Sequence, residues 1–247
     1  MMEDSQDLED SSVLYELNPS SISLKEYFSS LVDETDGDLG TQIYYCEKII
    51  QTYFFGTETQ HLIEVLRDNL YDVMDETNDN NVKRLSILTI GLWHLESGDY
   101  YSLDGILIDW KNLMDVNSQY YYLSSLREIQ DRDQSSIDRA IEDAFNAKEG
   151  ASSSYFQFNL ARILSLASEH GFVYNGGEDK IPSETSVMLD LADDMIETAI
   201  NDFQDNPDFH HTKAKIAIQR SSWNEVEVAI NQGIETLKSP RNDYTKK

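Results

Sequence analysis

Apolar residues return at every third or fourth position through most of this 247-residue chain, and no stretch alternates apolar with polar for long. Ile43, Cys46, Ile49, Ile50, Tyr53 and Phe54 keep that spacing, as do Leu62, Ile63, Leu66, Leu70, Val73 and Met74. Such a period lays one apolar stripe along a helix, whereas a strand needs period two. No hairpin of strands is found, so the chain is expected to be all-α.

The helical segments follow one another with short joints. Leu85, Leu88, Leu92 and Leu95 mark one helix, which Ser97-Gly98-Asp99 closes. Leu103, Ile106, Leu107, Trp110 and Leu113 mark the next. Further helices are expected over Tyr121–Ile129, from Ile137 to Phe145, over Tyr155–Ala167 and Met188–Phe203, and in a pair over His210–Gln219 and Val226–Leu237. Amphipathic helices joined by short turns fold into antiparallel hairpins. Residues 41–77 read as one more, diverged hairpin. Three parts are expected: an acidic, flexible arm over residues 1–38 with a short helix from Ser21 to Leu31, a helical domain over 39–240, and a tail over 241–247. Ile22, Tyr27, Phe28 and Leu31 are the residues of that short helix expected to dock.

Charge narrows the partners. The formal net charge is -27, from 46 acidic and 19 basic residues. So acidic a surface repels phosphate backbones and anionic lipid, and nucleic acid and membrane are excluded as partners. It is also the kind of surface that suits a salty milieu. The distribution is uneven: residues 1–40 carry eleven acids against Lys25, while residues 208–247 carry seven bases against five acids. A locally basic C-terminal end on an acidic body favours acidic partners or head-to-tail self-association. No apolar run is long enough to span a bilayer, and the acidic start Met1-Met2-Glu3-Asp4 lacks the basic opening of a signal peptide. A cytoplasmic protein is expected.

The spacing carries a further pattern. Gly91, Gly98, Tyr100, Leu103, Leu107 and Trp110 fall at positions 8, 15, 17, 20, 24 and 27 of a 34-residue register. Ala214, Ser221, Trp223, Val226, Ile230 and Gly233 repeat it near the C-terminus. Ile137, Ile141 and Ala144 reproduce the second-helix spacing, as do Ala192, Ile196 and Ala199 before Asn206-Pro207. Over roughly residues 82–240 the chain resembles the tetratricopeptide-repeat family. The middle units depart from its pattern: the second lacks the glycine and aromatic at its turn, and the third carries an insertion at about 169–183. The resemblance implies a right-handed superhelix of stacked antiparallel hairpins, an α-solenoid whose first helices line a concave groove for a peptide or helix of a partner.

Transferred to this sequence, the family's groove positions fall on Tyr155, Phe158, Asn159, Arg162, Ser165 and Leu166 in the third unit and on Asp208, His211, Thr212, Lys215, Ile218 and Gln219 in the fourth, and the second unit offers Tyr121, Tyr122 and Glu128. The partner-binding set expected is Tyr155, Phe158, Asn159, Arg162, His211, Lys215 and Gln219. Aromatics would anchor a peptide while Arg162 and Lys215 meet its acidic groups, with Lys213 and Arg220 adding charge nearby. The paired Lys, Asn and Arg with which some family members clamp a terminal carboxylate is incomplete here. Gly171 to Glu178 in the insertion reads either as a contact tip or as a loop folded back on its own repeat.

No catalytic, metal-binding or cofactor set emerges. His61, His94, His170, His210 and His211 have no metal-ligand spacing. Adjacent His210 and His211 point apart on a helix, and His94 sits at a packing position. Cys46, the single cysteine, lies on an apolar face and can form neither an internal disulfide nor a cysteine zinc site. The expected function is a non-enzymatic adaptor binding a protein or peptide. The alternatives are a peptide-responsive regulator and an acidic mimic or chaperone-like binder of a basic protein.

Overall fold

The computed structural model describes residues 21–55, 60–151, 153–177, 181–203 and 206–238, with the backbone alone at 21–22, 53–55 and 60–62. The expected loose arm over residues 1–20, the docking of Ile22, and the tail over 241–247 lie outside the described parts. Among the described residues the fold is all-α. Its helices are α1 (Ser21–Glu34), α2 (Leu39–Phe55), α3 (Gln60–Glu76), α4 (Asn80–Ser97), α5 (Tyr100–Leu113), α6 (Ser118–Glu128), α7 (Gln134–Gly150), α8 (Ser154–Glu169), α9 (Thr185–Asp202), α10 (Pro207–Gln219) and α11 (Trp223–Lys238).

From α4 onward the helices pair as α4/α5, α6/α7, α8/α9 and α10/α11, and each second helix also packs on the first helix of the next pair. The first helices touch one another in order, α4 to α6 to α8 to α10. The result is a repeat-like stack of helical hairpins. One buried core runs through it, from Leu85 and Trp110 through Leu123, Ile141 and Phe156 to Ile196 and Phe209. Gly91 sits where α4 meets α6, and a Cβ there would overlap Leu123 Cδ2.

Each turn inside a hairpin passes through the left-handed region. Gly98, Arg132, Gly171 and Ser221 have φ of 73°, 55°, 75° and 59°. Gly98 closes α4, its N–H donating to Leu95, while the Asp99 N–H donates to His94. Arg132 and Ser221 take the place of a glycine at the corresponding turns, so the second unit keeps the geometry without the residue that suits it. A side chain in this conformation costs about 1–2 kcal/mol. Ser221→Gly is therefore expected to raise stability by about 1 kcal/mol and Gly98→Ala to lower it by about as much, read as opposite shifts of the thermal midpoint.

Asp and Asn residues start the helices: Asp79, Asp99, Asn117, Asp133 and Asn206 each accept a first-turn backbone N–H at α4, α5, α6, α7 and α10. Part of the acidic excess thus serves as caps.

The N-terminal helices depart from the hairpin scheme. The short helix expected at Ser21 is present as α1, and it buries Leu24, Phe28 and Leu31 against α3 and α4. The hairpin expected over residues 41–77 does not form: α3 pairs with α4, while α2 barely touches α3 and lies across α4, α6 and α8. The cause is composition. Ten of the 17 residues of α2 are apolar, and Tyr44 lies off the main stripe of Leu39, Ile43, Cys46, Ile49 and Ile50, so more than one side of the helix gains from being covered.

Candidate functional site

The face made by α4, α6 and α8 is the one expected to hold a partner, and α2 occupies much of it. Gly40, near the start of α2, lies so close to α8 that a Cβ there would overlap the Ser153 side chain. Gln119 Nε2 donates to Leu39 O at 3.1 Å and to Gln42 Oε1 at 3.0 Å. Cys46 is fully buried, its sulfur 4.0 Å from Leu85 O. Glu47 is the central polar contact. Its carboxylate accepts the Tyr122 hydroxyl and, at 2.6 Å, the Tyr155 hydroxyl. Burial, followed by the charge of Glu47, raises both phenols well above their ordinary 10.

Beyond Glu47 the face stays open as a cavity of about 570 Å³. Glu47, Ile50 and Gln51 of α2 form one wall. Leu92, Leu95 and Glu96 of α4 and Leu126, Ile129 and Gln130 of α6 form the floor. From α8 come Phe158, Arg162, Ile163, Ser165 and Leu166, and from α10 Asp208, His211, Thr212 and Lys215. The lining is mixed: seven aliphatic residues and Phe158 share it with two cations, Arg162 and Lys215, and three carboxylates, Glu47, Glu96 and Asp208.

Four of the seven expected binding residues line this cavity: Phe158, Arg162, His211 and Lys215. Tyr155 and Asn159 do not. Tyr155 is covered, bonded to Glu47 and edge-on to Tyr44. Asn159 is fully buried and donates to Ser125 Oγ at 2.9 Å, while its Oδ1 accepts from Arg162 at 3.2 Å. Gln219 joins helices: it donates to Ser165 O at 3.1 Å and accepts from Ser165 Oγ at 3.3 Å. In the second unit Tyr122 is covered by α2, and Glu128 turns outward to pair with Arg139 at 2.8 Å.

The bases of α10 divide by helical phase. Lys213 and Arg220 face α9, where Lys213 pairs with Asp193 and Glu197 and Arg220 with Asp190 and Asp193. They do not add charge to the groove as expected. Lys215, two residues from Lys213, points the other way. Neither Lys215 nor Arg162 makes an ion pair among the described residues. Arg162 instead lies over the Phe158 ring, 5.4 Å from its centroid.

Two further expectations find their place. His94 is buried, 2.9 Å from Tyr71 Oη and edge-on to Trp93, and burial lowers its pKa. The insertion folds onto α7, away from the cavity: Tyr174 is buried and donates to Glu142 at 2.8 Å, Val173 O accepts from Gln134 at 2.7 Å, and the Asn175 N–H donates to Asp138 at 3.0 Å. Sequence reasoning missed Glu47 and the whole of α2 as part of the site. Ten of its 17 residues are apolar, but their spacing does not separate pairing with a neighbour from crossing three helices.

Among the described residues no three His, Cys, Asp or Glu side chains converge as metal ligands, and no helix is long and apolar enough to cross a membrane. No protein-family model, curated protein or solved structure matches the chain.

Proposed function

We propose that the protein is a tetratricopeptide-like, non-enzymatic adaptor that takes a short acidic peptide of a partner protein into the cavity beside α2. One observation carries the proposal: Arg162 and Lys215 line a cavity together with seven aliphatic side chains and pair with no carboxylate among the described residues, on a chain with 46 acids to 19 bases. The left-handed turns of the four hairpins and the ordered first helices support the repeat reading. Since α2 takes the place of a docked helix, a short extended segment suits the remaining space better than a whole helix. Apolar side chains would rest on Leu95, Ile129 and Leu166, and Arg162 and Lys215 would each receive a carboxylate. The same proposal has the protein act in the cytoplasm.

A library of short peptides of varied charge tests it. Acidic peptides with one or two apolar residues are expected to be enriched. Arg162→Glu with Lys215→Glu should lower their affinity at least tenfold, roughly 1.4 kcal/mol, at unchanged helicity. Equal recovery of neutral and acidic peptides, or binding indifferent to the charge reversal, would reject the site.

The peptide-responsive alternative gains from one feature. Glu47, Ile50 and Gln51 belong to α2, so a ligand in the cavity touches the helix that covers the groove and could bias its seating. A bound peptide that changes the rate at which Cys46 is labelled would favour regulation over simple tethering.

A further inference from the structure

On α11 an apolar stripe faces away from the rest of the protein. Trp223, Ile230, Ile234 and Leu237 are 68, 49, 43 and 38% exposed. The adjoining face of the helix is already used: Val226 and Ala229 are buried, and Gly233 lies against His210 of α10. At 3.6 residues per turn, Trp223, Ile230 and Leu237 align along one line, and Ile234 stands beside it.

The spacing is symmetric. Trp223 and Leu237 lie equally far from Ile230, on opposite sides. An antiparallel copy of the helix would set Trp223 against Leu237, Leu237 against Trp223, and Ile230 against itself. Glu225 and Glu235 sit roughly 140° around the helix from Ile230, clear of such a contact, and Glu227 roughly 60° from it, at the edge of the stripe.

Charge indicates what can approach. Over residues 206–238 the acids Asp208, Glu225, Glu227 and Glu235 balance the bases Lys213, Lys215, Arg220 and Lys238, so the α10/α11 hairpin is neutral and the whole -27 resides elsewhere. Two copies repel through their acidic bodies but meet without penalty at this end. Among residues 239–247 only Tyr244 is a large apolar side chain.

We propose that the protein forms a twofold homodimer through α11, with Ile230 on the axis. Such a contact is isologous, the same patch serving both subunits. It is apolar, so it should strengthen with salt as repulsion between the bodies is screened. A head-to-tail contact of the basic end on an acidic flank would weaken instead.

Light scattering of the full chain across protein and salt concentrations is the test. A dimer is expected whose dissociation constant falls as salt rises, and Ile230→Glu should raise that constant at least 100-fold with unchanged circular dichroism. Ile230→Cys should yield a covalent dimer on mild oxidation, and Glu225→Cys, on the far side, should not. A wild-type monomer at every concentration would overturn the proposal, leaving the stripe to a different protein. A dimer that survives Ile230→Glu, that weakens with salt, or that fails to cross-link through position 230 would overturn it as well. Arg162→Glu alone lies outside the stripe and leaves the α10/α11 hairpin neutral, so it tests the peptide site without touching the dimer.

Discussion

Cys46 of the folded protein should resist thiol reagents almost completely, and Glu47→Ala should remove most of that protection. The thiol is fully buried on α2, and burial pushes its pKa up to about 12, so little nucleophilic thiolate exists at neutral pH. Labelling then requires α2 to lift from α4. Glu47 holds α2 down by accepting the hydroxyls of Tyr122 and Tyr155, both buried. Truncating the acceptor strands two hydroxyls, at about 1–3 kcal/mol each. Every 1.4 kcal/mol multiplies the open population by ten, so labelling should accelerate roughly 100-fold or more. Adding Tyr122→Phe and Tyr155→Phe to the Glu47→Ala background should recover part of the loss, because no donor is then left without an acceptor. Wild-type labelling as fast as that of the denatured chain would show that α2 is not seated.

Stability should fall as pH rises between about 4 and about 6, and Asp143 should be the main cause. Its carboxyl is raised from the ordinary 3.8 to about 6, chiefly by burial between α6 and α7. Glu128 and Glu142 push the same way, while the 2.6 Å hydrogen bond from Ser124 and the charge of Lys111 oppose. A carboxyl with a raised folded-state pKa binds its proton more tightly in the native protein than in the unfolded chain. Its contribution is complete below pH 3.8 and is lost as pH climbs through 6. The move corresponds to about 2–3 kcal/mol. Asp143→Asn keeps an oxygen for Ser124 and removes the buried charge. It should therefore be more stable than the parent at pH 7 by about that amount, with the difference vanishing near pH 4. Asp133 acts in the opposite sense, held down to about 2 by the N–H and hydroxyl of Ser136 and the hydroxyl of Ser135. The comparison is accordingly made between parent and variant by denaturant unfolding at each pH. Equal unfolding curves at pH 7 would rule out the buried charge.

The hairpin stack was legible because it depends on local chemistry. Leu85 to Leu95 and Leu103 to Trp110 give the stripes, Gly98 the turn, and Asp79, Asp99 and Asp133 the caps. The helix at Ser21 was legible for the same reason. Placement of α2 was not, since Ile43, Cys46 and Ile49 show the same spacing whether their helix pairs with its neighbour or crosses three others. Only tertiary packing separates those outcomes. Of the residues expected to bind a partner, Phe158, Arg162, His211 and Lys215 line the cavity from α8 and α10. The loss of Tyr155 to the interior follows from α2, through Glu47, and that of Asn159 from its bond to Ser125 on α6. The diversion of Lys213 and Arg220 depended on Asp193, a residue about twenty positions away with nothing in its own surroundings to mark it.

The position of α2 also bears on how the molecule comes apart. A chain of repeats that touch only their neighbours behaves like a row of beads, fraying from either end and populating partly melted species. A helix bonded at once to α4, α6 and α8 adds links between units that are not consecutive, and these cannot be broken one at a time. Melting of this stretch should be concerted, with calorimetric and van't Hoff enthalpies in agreement, while α11, which packs chiefly on α10, retains the freedom to unzip first.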